Sequence, residues 1–439
     1  MAIGRRDPLS LSVPWLSWPL STGWCIAGWV VSTSLYVLCV QLGGGAANGD
    51  SQQSVYAAWA LAHGHLACGY PPSGTLGYGA TAPVYILVSG ALLALLRIGG
   101  GVAFPSGAQL GPHCANAVSA MNQWSFSTGS LPATLRIGYV GWAVLAVGIV
   151  VALRAMGRGR CGWEPAVLLV AACVPPVAMG LREYFHPEDM VAMGLVLIAL
   201  AAVRKDQWAL AGVWLGLAVA TQQFAILVAI PLLVIAPSTR RLRYVASAAI
   251  TVVVLAVPLG ALTSWRALPT VFVGTGESSV AGSLLTLTGM HGSVLFAVSR
   301  IVPIAVAALV AGWAAERLGA RVLQPVPLVA LVAIALALRL VFDVAVWGYY
   351  LLGITVALLV LEAVRGTIRL ALVAWLGLVS LAALGGALDY RTTLPMPTWC
   401  WQLAIDATAL ALAASALLGA VRAHRSGITD PRPVASTTP

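Results

Sequence analysis

Long runs of apolar residues follow one another along most of this chain, separated by short polar breaks. Only 9% of its 439 residues are charged, whereas a soluble domain carries roughly 25%. A hydrocarbon core about 30 Å thick requires roughly 20 apolar residues per helix, and many of the runs have about that length. The pattern therefore predicts an all-α protein that crosses a membrane many times, and it excludes an ordinary soluble domain.

Basic residues set the predicted topology, because Arg and Lys accumulate in cytoplasmic loops. Most of the basic residues form short groups between the apolar runs, namely Arg5/Arg6, Arg154/Arg158/Arg160, Arg204/Lys205, Arg240/Arg241/Arg243, Arg317/Arg321, Arg365/Arg369 and Arg422/Arg425, with Arg432 in the tail. Placing all of these groups inside predicts about twelve crossings with both chain ends in the cytoplasm. The net charge of +10 is then a topology signal, and a nucleic-acid partner is not expected.

The predicted membrane helices keep an even number of crossings between neighbouring basic groups. Their approximate bounds are 22–42, 135–153, 165–182, 189–203, 208–222, 223–237, 242–262, 292–313, 324–341, 347–363, 368–386 and 398–420. The fifth and sixth are short and are expected to form a bent pair around Thr221–Gln223. Residues 1–425 thus form one predicted membrane domain, followed by a polar, disordered cytoplasmic tail at 426–439.

One apolar run, at 79–97, does not fit this count. If this run crossed the membrane, the basic group that begins at Arg154 would lie on the outer side. No second apolar run before residue 134 could return the chain to the inner side. Residues 43–134 are therefore predicted to form one large outer loop. Within it, 79–97 lies along the membrane or re-enters it, and a shorter amphipathic helix lies near Val55–His63.

Two of the seven cysteines, Cys68 and Cys114, lie in this outer loop. An oxidising compartment would allow them to pair, and the sequence leaves that pairing open. The other five are scattered in or beside helices and are interpreted as small apolar residues. No metal-ligand spacing and no phosphate-cradling glycine loop is evident, so neither a metal nor another cofactor is predicted.

Charged residues gather at the predicted outer ends of the helices, where each is a candidate functional group because charge near lipid is costly. The first candidate is Asp50, which follows the glycine-rich stretch Gly43–Gly49. Its carboxylate could act as a general base toward a hydroxyl presented at the membrane surface. It could also cap the helix predicted at Ser51–His63, since Asp is a favoured N-cap. The two roles are compatible.

The second candidate group is the polar run REYFHPED, between the third and fourth predicted helices. Pro187 suits the first turn of a helix, and Glu188 and Asp189 would then interact favourably with the positive end of the helix dipole. Capping explains these acids but not Arg182 and His186. A functional role for the run is therefore an open alternative.

The third candidate group follows the ninth predicted helix. Arg339 lies inside an apolar run and needs an anionic partner. Asp343 would make a helix-type pair with it, whereas a lipid phosphate would match the fork geometry of the guanidinium. Tyr349 and Tyr350 come next, and one of the two is typical of an interfacial belt. Two further candidates, each more commonly structural, are His291 and Gln222.

These segments resemble the GT-C membrane glycosyltransferases, especially the actinobacterial group that includes polyprenyl-phosphate-mannose-dependent mannosyltransferases and related arabinofuranosyltransferases. The resemblance extends from Asp50 to Ile354 and rests on short motifs. The segment GDSQQSVYAAWALAHGHLACGYPP is similar to the family's first-loop pattern, in which an acidic residue precedes a Tyr-bearing helix. By this resemblance Asp50 matches the catalytic carboxylate, and a large first outer loop is a family trait.

Three later segments extend the resemblance. AGVWLGLAVATQQFAILVAIPLLV is similar to the family's Gly-x-x-x-Gly-Leu-Ala helix pair, with Gln222 where many members have Lys. EYFHPEDMVAMGLVLIALAAVRK resembles a polar stretch that opens a helix, with His-Pro-Glu-Asp where relatives often have Gly-Gln-x-Asn. RLVFDVAVWGYYLLGI resembles a late outer segment with paired His or Tyr near the donor phosphate, and here the pair is Tyr349–Tyr350.

The resemblance implies an enzyme that moves one sugar from a polyprenyl-phosphate donor to a glycolipid or cell-wall glycan on the outer face of the plasma membrane. Mannose is the preferred sugar and arabinofuranose the alternative. Asp50 would deprotonate the acceptor hydroxyl, so the anomeric configuration inverts. Arg339 is expected to stabilise the departing phosphate, with Arg182 as the second choice.

Two rival functions are also considered. A transporter or flippase commonly has its site near the bilayer midplane within repeated halves, whereas here the polar residues gather at the outer ends and no repeat is evident. The chain could also be a degenerate family member with a purely structural role. Only the presence of Gln222 where many members have Lys favours that role.

Overall fold

A computed structural model describes residues 10–11, 22–42, 83–98, 130–159, 162–182, 186–262, 284–290, 292–344, 348–384 and 398–426. The helices there are α1 (Thr22–Leu42), α2 (Pro83–Ile98), α3 (Ser130–Ala155), α4 (Trp163–Cys173), α5 (Pro175–Arg182), α6 (Pro187–Arg204), α7 (Trp208–Val219), α8 (Ile226–Ile235), α9 (Ser238–Leu262), α10 (Gly292–Leu318), α11 (Pro325–Phe342), α12 (Leu351–Arg365), α13 (Leu370–Leu384) and α14 (Thr398–Arg425). Two short strands, β1 (Ser10–Leu11) and β2 (Ile368–Arg369), pair antiparallel.

The prediction of an all-α membrane protein is confirmed. Within the described ranges, six helical segments are long and apolar enough to cross a membrane. They are Thr22–Val40, Gly138–Ala155, Gly292–Leu323, Pro325–Phe342, Gly348–Arg365 and Trp399–Arg425. A helix also occurs at each predicted position, but the number of crossings stays a prediction.

Several of the basic groups predicted to be cytoplasmic lie together at one end of the helix bundle, called the inner end below. The strand pairing places the N-terminal segment beside Arg369. The other contacts are Arg158 Nε to the Val364 carbonyl oxygen (3.1 Å), Arg204 Nη1 to the Leu323 carbonyl oxygen (2.7 Å) and Arg240 Nη2 to Asp206 Oδ2 (2.9 Å). A common location for these groups agrees with the even number of crossings predicted between them.

The helices α7 and α8 form a hairpin that enters the bundle from the inner end. At 1.5 Å per residue, their 12 and 10 residues extend only about 18 Å and 15 Å, well short of a 30 Å hydrocarbon core. The chain bends around Thr221–Gln223, as predicted, and Thr221 and Phe224 are buried at the tip. Both helices are short, and the number of crossings that this pair makes stays a prediction.

Glycines allow α3 and α6 to approach each other closely. A Cβ added at Gly148 of α3 would lie 2.5 Å from the carbonyl oxygen of Gly194 in α6. Nearer the start of α6, a Cβ at Gly141 would lie 2.8 Å from the Pro187 carbonyl oxygen. Small residues at such contacts are a common way for membrane helices to pack, because they let the backbones come together. This contact fixes the position of the N-terminal turn of α6.

The apolar run at 79–97 contains helix α2, which packs against α3 and α9. Its inward side buries Val84, Tyr85 and Ser89, while Leu87 and Leu95 are exposed. The Ser89 hydroxyl donates a hydrogen bond to the Tyr85 carbonyl oxygen at 2.6 Å. The run is thus a helix with one buried face, and its orientation relative to the membrane stays a prediction.

Candidate functional site

Arg339 lies in the last turn of α11, at the end of the bundle opposite the basic groups, called the outer end below. Its Nε is 3.5 Å from Oδ2 of Asp343, so the pair expected from their spacing forms. A distance of 3.5 Å is long for a hydrogen bond. No described residue accepts a hydrogen bond from the two terminal nitrogens of this guanidinium. Within the described ranges, these two nitrogens are thus without a protein partner.

Two aromatic rings hold the Arg339 guanidinium in place. Its carbon Cζ lies 4.9 Å from the centre of the Phe224 ring and 4.1 Å from the centre of the Tyr350 ring. Cation–π contacts of this kind hold a cation without using its N–H donors. Phe224 belongs to the buried tip of the α7–α8 hairpin, so the hairpin contributes directly to the site.

The second and third candidate groups meet through their aromatic residues. The His186 ring stacks on the Tyr349 ring, with centroids 3.9 Å apart and planes inclined by 20°. Tyr350 lies edge-on to Tyr349, at 4.7 Å and 85°. Tyr349 is buried within the bundle, which does not fit a lipid-facing belt residue. Residues far apart in the sequence thus form one cluster at the outer end.

The acids at the start of α6 are buried beside this cluster. The helix begins at Pro187, as predicted, and Glu188 and Asp189 are only 3% and 2% exposed. His186 Nδ1 lies 2.9 Å from Glu188 Oε1. The other oxygen of Glu188 and both carboxylate oxygens of Asp189 have no hydrogen-bond partner among the described residues. Asp189 is also within electrostatic range of Arg339.

Tyr85 is a member of the cluster that sequence reasoning missed. This α2 residue is fully buried, and its hydroxyl has no hydrogen-bond partner in the described part of the chain. The hydroxyl lies within electrostatic range of Glu188. No spacing rule links residues so far apart, and a tyrosine in an apolar run gives no signal by itself. Helix α2 therefore closes one side of the site.

Sequence reasoning also missed Gln402 of α14, which stabilises the end of α11 that carries Arg339. Its Nε2 donates a hydrogen bond to the Leu340 carbonyl oxygen (2.8 Å), one residue beyond Arg339. Its Oε1 accepts a hydrogen bond from the Leu284 backbone N–H (3.1 Å). The buried amide thus ties the outer end of α11 to α14 and to the 3₁₀ turn Leu284–Thr288.

Other predicted site residues are not part of this cluster as described. Gln222 precedes the hairpin tip and makes no hydrogen bond or ion pair with the cluster. Arg182 ends α5, which packs against the turn Gly348–Tyr350, but the position of its side chain is not described. The candidates outside the described residues are Asp50, His291, Cys68 and Cys114, so the base, the large outer loop and the disulfide stay predictions.

The described cluster carries three carboxylates, from Glu188, Asp189 and Asp343, against the single guanidinium of Arg339. The guanidinium matches one anionic group, and the oxygens of Glu188 and Asp189 that have no described partner would accept hydrogen bonds from hydroxyl groups. In the described ranges, no set of three or more His, Cys, Asp or Glu side chains has a geometry suited to a metal ion. A ligand that carries both a phosphate and hydroxyl groups would match this arrangement.

The comparison with known families identifies the class of this helical membrane protein as the GT-C-type membrane glycosyltransferases. Residues 126–342 match the family model of glycosyltransferase family 87. The predicted resemblance is confirmed at this level, and the chain is a glycosyltransferase. No curated protein and no solved structure matches the chain. The matched range includes the acids of α6 and Arg339.

Proposed function

We propose that the protein transfers a single sugar from a polyprenyl-phosphate donor to a glycolipid or cell-wall glycan at the outer face of the plasma membrane. Mannose is the preferred sugar, and arabinofuranose is the alternative within the same fold. The observation that carries the proposal is the Arg339 guanidinium at the outer end of a membrane helix, whose side chain is only 14% exposed and whose two terminal nitrogens have no acceptor among the described residues. A nucleic-acid partner has no part in it.

A phosphate at the membrane surface is a suitable ligand for Arg339. The guanidinium presents parallel N–H donors that bind two phosphate oxygens at once, and such charge-assisted bonds are among the strong ones. Asp343 Oδ2 lies 3.5 Å from Nε, and the ring centres of Phe224 and Tyr350 lie 4.9 Å and 4.1 Å from Cζ. A lipid-linked phosphate would reach this depth from the bilayer, because the hydrocarbon chain stays among lipids while the head group enters the cluster.

The proposed reaction is a single displacement at the anomeric carbon. An acceptor hydroxyl oxygen forms the new bond to that carbon as the bond to the phosphate oxygen breaks, and the electron pair leaves with the polyprenyl phosphate. The hydroxyl proton passes to the Asp50 carboxylate, whose role rests on the family resemblance. Arg339 stabilises the charge that develops on the leaving phosphate. The anomeric configuration inverts.

Transfer from defined donors tests the proposal directly. Membranes containing the protein are supplied with radiolabelled polyprenyl-phosphate-mannose or with the arabinofuranose analogue, and labelled lipid and glycan products are separated. We expect product from the mannose donor, with an inverted anomeric centre. If neither donor labels a product in membranes that contain folded protein, the proposed donor class is wrong.

Arg339→Lys tests the role of the guanidinium. Lysine keeps the charge but loses the fork, so the donor KM should rise by roughly tenfold or more while the acceptor KM changes little. The matched control is Arg154→Lys at the inner end, where Arg154 pairs with Glu164 at 2.8 Å, and its kinetics should stay normal. An unchanged donor KM in a folded Arg339→Lys protein would mean that Arg339 serves only as the structural partner of Asp343.

A further inference from the structure

Three neighbouring side chains at the outer end of the bundle carry buried polar atoms that bond to nothing in the described part of the chain. They are the Tyr85 hydroxyl, Oε2 of Glu188 and both oxygens of Asp189. A buried donor or acceptor that loses its water without gaining a partner is costly. A protein retains several such groups in one place when a ligand completes their hydrogen bonds.

A purely structural role does not account for these atoms. The start of α6 favours negative charge nearby, yet the side chain of its N-cap residue, His186, makes no capping hydrogen bond to the backbone of the first turn. The Asp189 carboxylate also bonds to no described backbone amide. Glu188 uses only one of its oxygens, toward His186. Tyr85 comes from α2, a separate element, so the helix dipole of α6 does not explain why its hydroxyl is buried there.

The chemistry of the three groups selects a neutral polyol. Carboxylate oxygens accept hydrogen bonds, and a phenolic hydroxyl can donate or accept one. An anionic group placed against Glu188 and Asp189 would be repelled, whereas sugar hydroxyls would supply the missing donors. The stacked rings of His186 and Tyr349 add a flat, partly apolar surface beside the acids.

We infer that Tyr85, Glu188 and Asp189 form the subsite that binds the hydroxyl groups of the transferred sugar. This inference rests on the proposed function, because it takes the donor phosphate to lie on Arg339. The sugar is attached directly to that phosphate, and Asp189 is within electrostatic range of Arg339. A ring bound at the anomeric carbon therefore extends from the guanidinium toward the acids.

Conservative variants combined with altered donors test the subsite. The variants are Tyr85→Phe, Glu188→Gln and Asp189→Asn, and the donors are polyprenyl-phosphate-mannose and analogues that each lack one hydroxyl. Each variant should lower kcat/KM for the intact donor by roughly 10-fold to 100-fold, the range for losing a hydrogen bond to a charged group. The same variant should have little further effect on the analogue that lacks the hydroxyl it binds, because the two losses are coupled.

Thermal stability separates binding from a structural role. Asp189→Asn removes a buried charge whose oxygens bond to no described donor, so its melting temperature should stay the same or rise while activity falls. Glu188→Gln keeps an oxygen that can bond to His186 Nδ1, so its melting temperature should change little while activity falls. The matched control is Tyr244→Phe at the inner end, which loses the hydrogen bond from the Tyr244 hydroxyl to the Ala229 carbonyl oxygen (2.8 Å). That variant should melt earlier and use the donor normally.

Two outcomes would overturn the subsite while the proposed function stands. The first outcome is a normal kcat/KM in all three variants. The second is that each variant lowers kcat/KM for every donor analogue that lacks a hydroxyl by the same factor as for the intact donor. If wild-type protein uses no polyprenyl-phosphate sugar, the proposed function fails and the subsite is tested by methyl mannoside and methyl arabinofuranoside. Thermal stabilisation of the wild type that Asp189→Asn abolishes would support a sugar subsite, and no stabilisation by either glycoside would refute it.

Discussion

The close contact between α3 and α6 positions the acids of the site, and Gly194→Ala tests that contact. A Cβ at this position would lie 2.5 Å from the Val144 carbonyl oxygen and 3.0 Å from the Leu145 Cα. Ordinary van der Waals contact begins at about 3.4 Å, so the two helices would have to separate by roughly 0.9 Å here. Both contacted atoms belong to backbone, which cannot rotate away as a flexible side chain can.

The expected loss follows from two opposing effects. Overpacking a close contact costs about 1–3 kcal/mol, and replacing glycine by alanine within a helix recovers up to about 1 kcal/mol. Because rigid backbone is displaced, we expect a net loss of about 2 kcal/mol. The control is Gly377→Ala in α13, where an added Cβ meets nothing within 4 Å, so only the helix gain of up to about 1 kcal/mol applies. The two variants should therefore differ by about 3 kcal/mol.

Thermal unfolding of both variants in the same detergent measures this difference, and donor kinetics measure its effect on the site. Gly194→Ala should melt below the wild type and also lose donor use, because Glu188 and Asp189 lie on the same helix less than two turns away. Gly377→Ala should melt at or above the wild-type temperature with normal kinetics. Equal melting temperatures for the two variants would refute the close packing of α3 against α6.

Three further predictions address the base, the support of α11 and the topology. Asp50→Asn should lower activity by about a hundredfold or more with little change in stability, since Asn caps a helix as well as Asp; full activity would exclude a general base at this position. Gln402→Leu should cost roughly 1–3 kcal/mol for each backbone group it leaves unpaired and should raise the donor KM, and an unchanged melting temperature would contradict its bridging role. A membrane-impermeant thiol reagent should label a cysteine placed at Ser106 but not one at Arg158 or Thr367, and labelling at 158 from outside would reverse the topology.

Helix positions and the grouping of polar residues could be predicted because they depend on local patterns. An apolar run of given length specifies a membrane helix, and the distribution of Arg specifies which helix ends share a side. That was enough to place His186 and Arg339 at the same end of the bundle, where the structure brings their groups into contact through Tyr349. The start of α6 at Pro187 followed from proline's preference for the first helical turn.

The remaining parts of the site depend on how the helices pack, which no local pattern encodes. Phe224 is one apolar residue among many, and only the bend between α7 and α8 brings it to Arg339. Tyr85 and Gln402 are remote in sequence from every other member of the cluster.

The way Arg339 is held explains how the site can bind a phosphate and a sugar together. A guanidinium fixed by several carboxylates would use its N–H donors on those carboxylates, and it would then have none for a ligand. Here the rings of Phe224 and Tyr350 restrain it, and Asp343 lies 3.5 Å from its Nε. Asp189 is within electrostatic range of the guanidinium, and among the described residues its oxygens have no hydrogen-bond partner. Donors and acceptors without a described partner thus lie in one cluster, and a ligand with an anionic end and a hydroxylated end satisfies both.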